Sequence, residues 1–205
     1  MSAELLLLRH GRTAWNAARR FQGQLDPPLD EVGIAQSEAV APVVAALRPV
    51  ALLTSDLQRA VATAAPLAAA TGLTAQLDPR LREIALGAWQ GMTSDEAAVA
   101  FPAEHAAWVD GRDVRRGGGE TYADVALRAV AAIEEALHAA GDGLVVAVTH
   151  GGTARAAAGT LLALPRERWS VLGPLGNARL GLLRQAVGGG WRLLEWNSRG
   201  PELRL

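Results

Sequence analysis

Glu4-Leu5-Leu6-Leu7-Leu8-Arg9-His10-Gly11-Arg12-Thr13 is the stretch that decides the fold. The run Leu5 to Leu8, with polar residues directly after it, reads as a short strand buried on both faces, as strands of parallel sheets are. Arg9 and His10 then stand where such a sheet presents its C-terminal edge, the place at which open α/β folds bind ligands. Gly11 lets the backbone turn sharply there. The pattern recurs further on. Gly143-Leu144-Val145-Val146-Ala147-Val148-Thr149 ends in His150-Gly151-Gly152, where helical spacing begins. Two buried strands that finish on His-Gly place two imidazoles at one rim.

Outward from these strands, the segment Thr13 to Pro28 is polar and irregular, carrying Trp15, Asn16, Arg19, Arg20, Gln22 and Gly23. Asp30 is expected to N-cap a helix to about Leu47, with Val32, Ala35, Ala39 and Val43 on its inner stripe and Pro42 kinking or breaking it. A second buried strand covers 49–54. Ser55-Asp56 is then expected to cap a helix with Leu57, Val61, Ala64 and Ala68 inward and Arg59 about half a turn away from that stripe. A short strand follows near 74–77. Short helices are expected at 94–100 and 103–110, forming a small cap over the sheet edge within 93–118. The spacing of Val125, Ala129, Ile133 and Leu137 predicts a helix over 121–140. Another helix runs from His150 to about Leu164. Two closing strands, 179–183 and 191–196, are joined through Gly188-Gly189-Gly190. The β-α alternation with buried strands makes a three-layer α/β/α sandwich on a mostly parallel sheet, one domain over 1–205.

Composition narrows the function. A chain of 205 residues that is 50% hydrophobic has the makings of a sizeable core. A net charge of -1 argues against nucleic-acid or anionic-membrane partners. With no cysteine, disulfide and thiol chemistry are excluded and metal binding falls to His and carboxylates. The leucine run is too short for a membrane span or a signal segment, so the expected location is cytoplasmic.

Two histidines at one rim could hold zinc. Arg9 beside His10, and Arg59 at a helix start, oppose a cation and suit a phosphate instead. A Walker loop and a Gly-x-Ser-x-Gly elbow are both missing from the sequence. His105 and His138 fall in helical patterns and read as solvated. Arg19-Arg20 and Arg112, Arg115, Arg116 read most simply as solvated loops whose positions also allow substrate contact.

Leu8-Arg9-His10-Gly11-Arg12-Thr13 with Asn16 resembles the Leu-x-Arg-His-Gly-x-Thr-x-x-Asn signature of the histidine phosphatase superfamily, in the branch that contains cofactor-dependent phosphoglycerate mutase. Leu29 to Gln36, Ser55-Asp56-Leu57-Gln58-Arg59-Ala60, Leu81-Arg82-Glu83 with Gly87-Ala88-Trp89-Gln90-Gly91, Gly118-Gly119-Glu120-Thr121, and Thr149-His150-Gly151-Gly152 follow that family's further motifs in order. Thr121 stands where the family usually has Ser.

The resemblance implies a phosphoglycerate mutase-like fold and a metal-independent phosphomonoesterase that uses no cofactor. His10 would be the nucleophile that becomes phosphohistidine. Arg9, Arg59 and His150 would clamp the phosphoryl oxygens, with Asn16, Gln22, Gly23 and the Gly151 N–H also binding substrate. Glu83 would be the general acid and then the base; on the residues alone it reads as a salt bridge to Arg80 or Arg82. The short segment after Glu83, Ile84-Ala85-Leu86, departs from the mutases and favours hydrolysis, with mutase activity the alternative. A non-catalytic phospho-ligand module would not need both His10 and Glu83. Further stretches, among them Phe21 to Asp26 and Leu172 to Ala178, are similar to a dimeric subfamily acting on a glucosylated 3-phosphoglycerate. That similarity implies a homodimer and a substrate with a carboxylate beside its phosphate, met by at least one of Arg19, Arg20, Arg112, Arg115 and Arg116.

Overall fold

The computed structural model describes residues 3–200; the ends of the 1–205 span lie outside the described residues. Strand β1 (Glu4–Arg9) lies inside a six-stranded sheet, with Leu5, Leu6, Leu7 and Leu8 all at 0% exposure. Helix α1 (Ala14–Ala17) is a single turn after the first rim loop. Then come α2 (Glu31–Ala46), β2 (Ala51–Thr54), α3 (Gln58–Thr71) and β3 (Ala75–Leu77). The short helices α4 (Ser94–Ala100) and α5 (Pro102–Val109) precede the long α6 (Tyr122–Ala140). Strand β4 (Leu144–Thr149), α7 (Gly151–Leu161), β5 (Leu180–Gln185) and β6 (Trp191–Ser198) follow.

The sheet order is β3-β2-β4-β1-β5-β6, parallel from β3 through β1, with β5 and β6 added as an antiparallel hairpin. The two-residue period of a strand sorts β1 between two layers. Leu5 and Leu7 pack with Ala129, Ile133 and Leu137 of α6 and Ala154, Ala158 and Leu161 of α7. Leu6 and Leu8 pack with Val40 and Val44 of α2 and Ala60, Ala64 and Leu67 of α3. This is the three-layer α/β/α sandwich. Parallel pairing sets Arg9 opposite Thr149, and the His10 N–H donates to the Thr149 carbonyl at 2.9 Å. The two His-Gly strand ends are therefore level with each other.

Two helices turn different faces inward from those expected. In α2 the buried residues are Gly33, Ser37, Val40, Ala41 and Val44, while Val32 is 43% exposed. The cause is a backbone contact at the rim. A Cβ on Gly33 would meet the Arg12 carbonyl oxygen, so this glycine, rather than an apolar side chain, sets the rotation of the helix. Helix α2 continues through Pro42, whose position is exposed. In α3 the inner face is Arg59, Ala60, Thr63, Ala64 and Leu67, with Val61 outward. Ser55 and Asp56 do not cap this helix: its N-cap is Leu57, and the Gln58 N–H donates to Asp26 Oδ2 at 3.0 Å. Helix α7 ends at Leu161, short of Leu164.

Beside the rim, Phe21, Trp89, Phe101 and Trp108 form a separate apolar cluster around the fully buried Trp89. His105 belongs to it rather than to solvent. Its ring stacks on Trp89 at 5.7 Å between centroids, and Nε2 lies 2.9 Å from Ser94 Oγ. His138 is exposed as expected.

Candidate active site

The two histidines meet at the C-terminal rim, with ring centroids 5.1 Å apart and planes tilted by 58°. His10 is 2% exposed, and its Nδ1 lies 2.7 Å from the Gly11 carbonyl oxygen. A carbonyl only accepts, so Nδ1 carries the hydrogen and Nε2 keeps its lone pair. Burial, reinforced by the charges of Arg9 and Arg59, holds the His10 pKa well below its ordinary value. His150 is displaced in the same direction, by burial first and then by Arg59, His10 and Arg9. Both imidazoles are neutral at physiological pH.

The arginines are held by carbonyl groups. Arg9 Nη1 donates to the Leu175 carbonyl at 2.6 Å, while Arg59 Nη1 and Nη2 donate to the carbonyls of Leu25 and Gly23 at 2.7 and 2.8 Å. Carbonyls fix a guanidinium without cancelling its charge, and the nearest carboxylate oxygen to Arg59, Asp26 Oδ1, stands 3.6 Å off. Burial lowers the Arg59 pKa to about 10, which still leaves it charged. The Nε atoms of both arginines are buried without a partner. Fixed positive charge, only partly offset by Asp26 and Glu83, beside two neutral imidazoles suits an oxyanion. Among the described residues no group of three or more His, Asp or Glu side chains is arranged to hold a metal ion.

Glu83 does not pair with its neighbours. Arg80 binds Asp78 and Glu135, and Arg82 binds Asp56. The Glu83 carboxylate instead accepts the N–H groups of Gly152 and Thr153, both at 3.1 Å, in the first turn of α7, and that of Ile84 at 3.0 Å. A Cβ on Gly152 would sit 2.6 Å from Glu83 Oε1, so glycine is what lets the carboxylate approach. The loop behind Glu83 is braced by Arg128 from α6, which donates to the carbonyls of Arg80, Arg82 and Glu83 and is itself held by Glu120. Glu120 Oε2 also accepts the Ala85 N–H at 2.8 Å. Thr121, at the Ser position of the motif, caps α6 in a box with Asp124.

A cavity of about 170 Å³ is lined by Arg9, His10, Asn16, Gln22, Gly23, Arg59, Glu83 and Gly152. Every one of these except Gly152 was named from sequence. Gly151 is the first residue of α7, and the lining position of that turn is Gly152. His150 lies against His10, fully buried. Asn16 Oδ1 is occupied by Thr13 and Asn177, which leaves its amide nitrogen for a ligand. Gln22 Oε1 is buried and unpartnered.

Arg20, Phe21, Ile84, Leu86, Arg116 and Tyr122 also line the cavity. The basic loops thus divide. Arg19, Arg112 and Arg115 are exposed, and Arg115 pairs with Asp124. Arg20 reaches the cavity while bonded to Glu96 and the Gly91 carbonyl. Arg116 is only 4% exposed, lies over the rings of Trp108 and Tyr122, and has a buried Nη2 without a partner. Reading it as a solvated loop residue is corrected by that burial. Its flanking glycines hid the packing, because a core arginine leaves no apolar period.

Residues 5–199 match the histidine phosphatase superfamily (branch 1). The chain is 42% identical to a glucosyl-3-phosphoglycerate phosphatase of Mycolicibacterium vanbaalenii, over 85% of this chain and 80% of that one. It is 38% identical to the enzyme of that name from Mycobacterium tuberculosis, over 95% and 94%. A solved structure of a mycobacterial glucosyl-3-phosphoglycerate phosphatase complexed with VO3 superposes with a TM-score of 0.89 at 38% identity, covering 95% of this chain and 99% of that one. With its rim of paired imidazoles and arginines, the chain belongs to branch 1 of the histidine phosphatase superfamily.

Proposed function

We propose that this phosphatase hydrolyses the phosphate ester of a carboxylate-bearing glycerate, with glucosyl-3-phosphoglycerate the favoured substrate, through a phosphohistidine on His10. The observation that carries the mechanism is the single open nitrogen of His10, its Nδ1–H being tied to the Gly11 carbonyl. His10 Nε2 attacks phosphorus in line, the N–P bond forms as the ester P–O bond breaks, and the leaving oxygen takes its proton from Glu83. Water then attacks the same phosphorus, gives its proton to Glu83, and releases phosphate from Nε2. Arg9, Arg59 and His150 hold the three equatorial oxygens, where charge stabilisation supplies most of the catalysis. Asn16, Gln22, Gly23 and the α7 N-terminus at Gly151 position the group.

Ile84 and Leu86 line the cavity in place of the Arg-x-Tyr that the mutases carry after the catalytic Glu. That supports hydrolysis over phosphoryl exchange. Arg116 supports the substrate preference. Its Nη2 is buried without a hydrogen-bond partner, and a carboxylate would supply one. The segment 93–118 serves as a cap that carries this arginine, on a single domain. On the same reading the enzyme is a homodimer in the cytoplasm, which light scattering and cell fractionation test. Among the described residues no helix is long and apolar enough to cross a membrane.

Phosphate release should be measured on glucosyl-3-phosphoglycerate, 3-phosphoglycerate, glucose phosphates and an aryl phosphate. The glycerate esters are expected to lead in kcat/KM. Arg116→Gln should remove about 10- to 150-fold for them, the equivalent of about 1.5–3 kcal/mol for a charge-assisted bond, and little for glucose phosphates. Equal turnover of neutral-sugar phosphates would replace the named substrate with a broad phosphomonoesterase.

A further inference from the structure

Ser55 has no part in the steps above and does not cap α3, yet it is fully buried against the second histidine. Its Oγ accepts the Leu57 N–H at 3.3 Å and lies 2.9 Å from His150 Nε2. Among the described residues the hydroxyl has no other acceptor within hydrogen-bonding reach, so its hydrogen goes to Nε2. A neutral imidazole that accepts at Nε2 carries its own hydrogen on Nδ1. His150 Nδ1 is buried and has no protein partner, on a ring whose neighbours are His10, Arg9 and Arg59.

We infer that Ser55 is a positioning residue that fixes the His150 tautomer, so that a neutral imidazole presents Nδ1–H to an oxygen of the phosphoryl group. The alternative tautomer would turn a lone pair toward that anionic oxygen and would leave Nε2–H and the serine hydroxyl competing as donors. The burial and positive surroundings of His150 keep the ring uncharged, which is why a tautomer rather than a protonation state needs fixing here. A donor set in advance costs no reorganisation when charge develops in the transition state. The serine thus does for His150 what the Gly11 carbonyl does for His10.

The inference rests on the phosphoryl group lying between the two imidazoles, and its test is independent of which ester is the natural substrate. Histidine-selective ¹⁵N NMR of the resting full-length enzyme, with the His150 signal assigned by its loss in His150→Asn, should show Nδ1 protonated and Nε2 bare. Vanadate should shift that Nδ1–H resonance. In Ser55→Ala the tautomers should mix and kcat should fall by about 10- to 100-fold, somewhat less than the 10²–10³ of deleting a donor, with KM changing less. Ser55→Thr should restore both the spectrum and the rate. Protonation at Nε2 in the resting wild-type enzyme, an Nδ1–H signal indifferent to vanadate, or full kcat in Ser55→Ala would each overturn the proposal. Should Ser55→Ala not fold, the wild-type spectra decide the matter alone.

Discussion

The two strand ends carry the same residue in the same register and hold it by different hydrogen bonds. After β1, His10 ties Nδ1 to its own chain, at the Gly11 carbonyl, and leaves Nε2 open. After β4, His150 ties Nε2 to Ser55 across the sheet edge and leaves Nδ1 open. A carbonyl can only accept, and in the mechanism proposed above it leaves the opposite nitrogen free to be the nucleophile. A hydroxyl that donates makes the opposite nitrogen a donor. Both rings are buried and the same two arginines act on both, so the difference in their proposed roles rests on one hydrogen bond each.

The largest expected effect breaks this pair apart. His10→Ala should abolish turnover on every ester, whereas His150→Asn should lose about 10²–10³-fold in kcat, as removal of one oxyanion donor does, and still become phosphorylated. Steady-state phosphate release with rapid-mixing detection of phosphoenzyme measures both. Equal losses would mean the two imidazoles share a role.

Glu83→Gln comes next. On alkyl esters the loss should be about 10²–10⁴-fold, the range of general acid catalysis. An aryl ester needs little protonation of its leaving group, so it should show a burst followed by slow turnover as dephosphorylation stalls. A uniform loss with no burst would reduce Glu83 to holding the first turn of α7.

How much of this was legible in the sequence depends on what each residue is bonded to. The buried strands and the helix over 122–140 follow from apolar period and turn residues, because apolar contacts decide them, whereas the two short helices are expected without such a period. The inner faces of α2 and α3 do not follow from it. Gly33, Ser37, Arg59 and Thr63 face inward at the rim, where Thr63 Oγ1 accepts the Gly11 N–H at 3.0 Å. A functional rim inverts the rule that polar residues face out, and the pattern slips there. Arg116 is one of five arginines open to a substrate carboxylate and Ser55 reads as a helix cap, while Arg128 is not singled out: the contacts that fix Ser55 and Arg128, to His150 and to the loop at 80–83, lie far away in the chain, where no local spacing encodes them.

A smaller effect concerns pH. Both imidazoles stay uncharged in the fold where an unfolded chain, titrating near about 6.5, has taken up protons. Stability should therefore fall as pH drops below about 6.5, and continue to fall until the displaced native values are reached. Urea unfolding across pH 4–8 measures it, and His10→Ala and His150→Asn should each flatten the acid slope. The acid limb of kcat/KM should likewise lie below the usual imidazole range. A limb at the ordinary histidine value would mean that burial and the arginines leave these rings unperturbed.

The most direct test of the account is to trap the intermediate. Enzyme mixed with labelled ester and quenched in denaturing alkali, where a phosphoramidate survives, should carry phosphate on Nε2 of His10 and lose it in acid. Label on His150, label on a hydroxyl or carboxylate residue, or none at all during turnover would contradict the assignment of the two histidines.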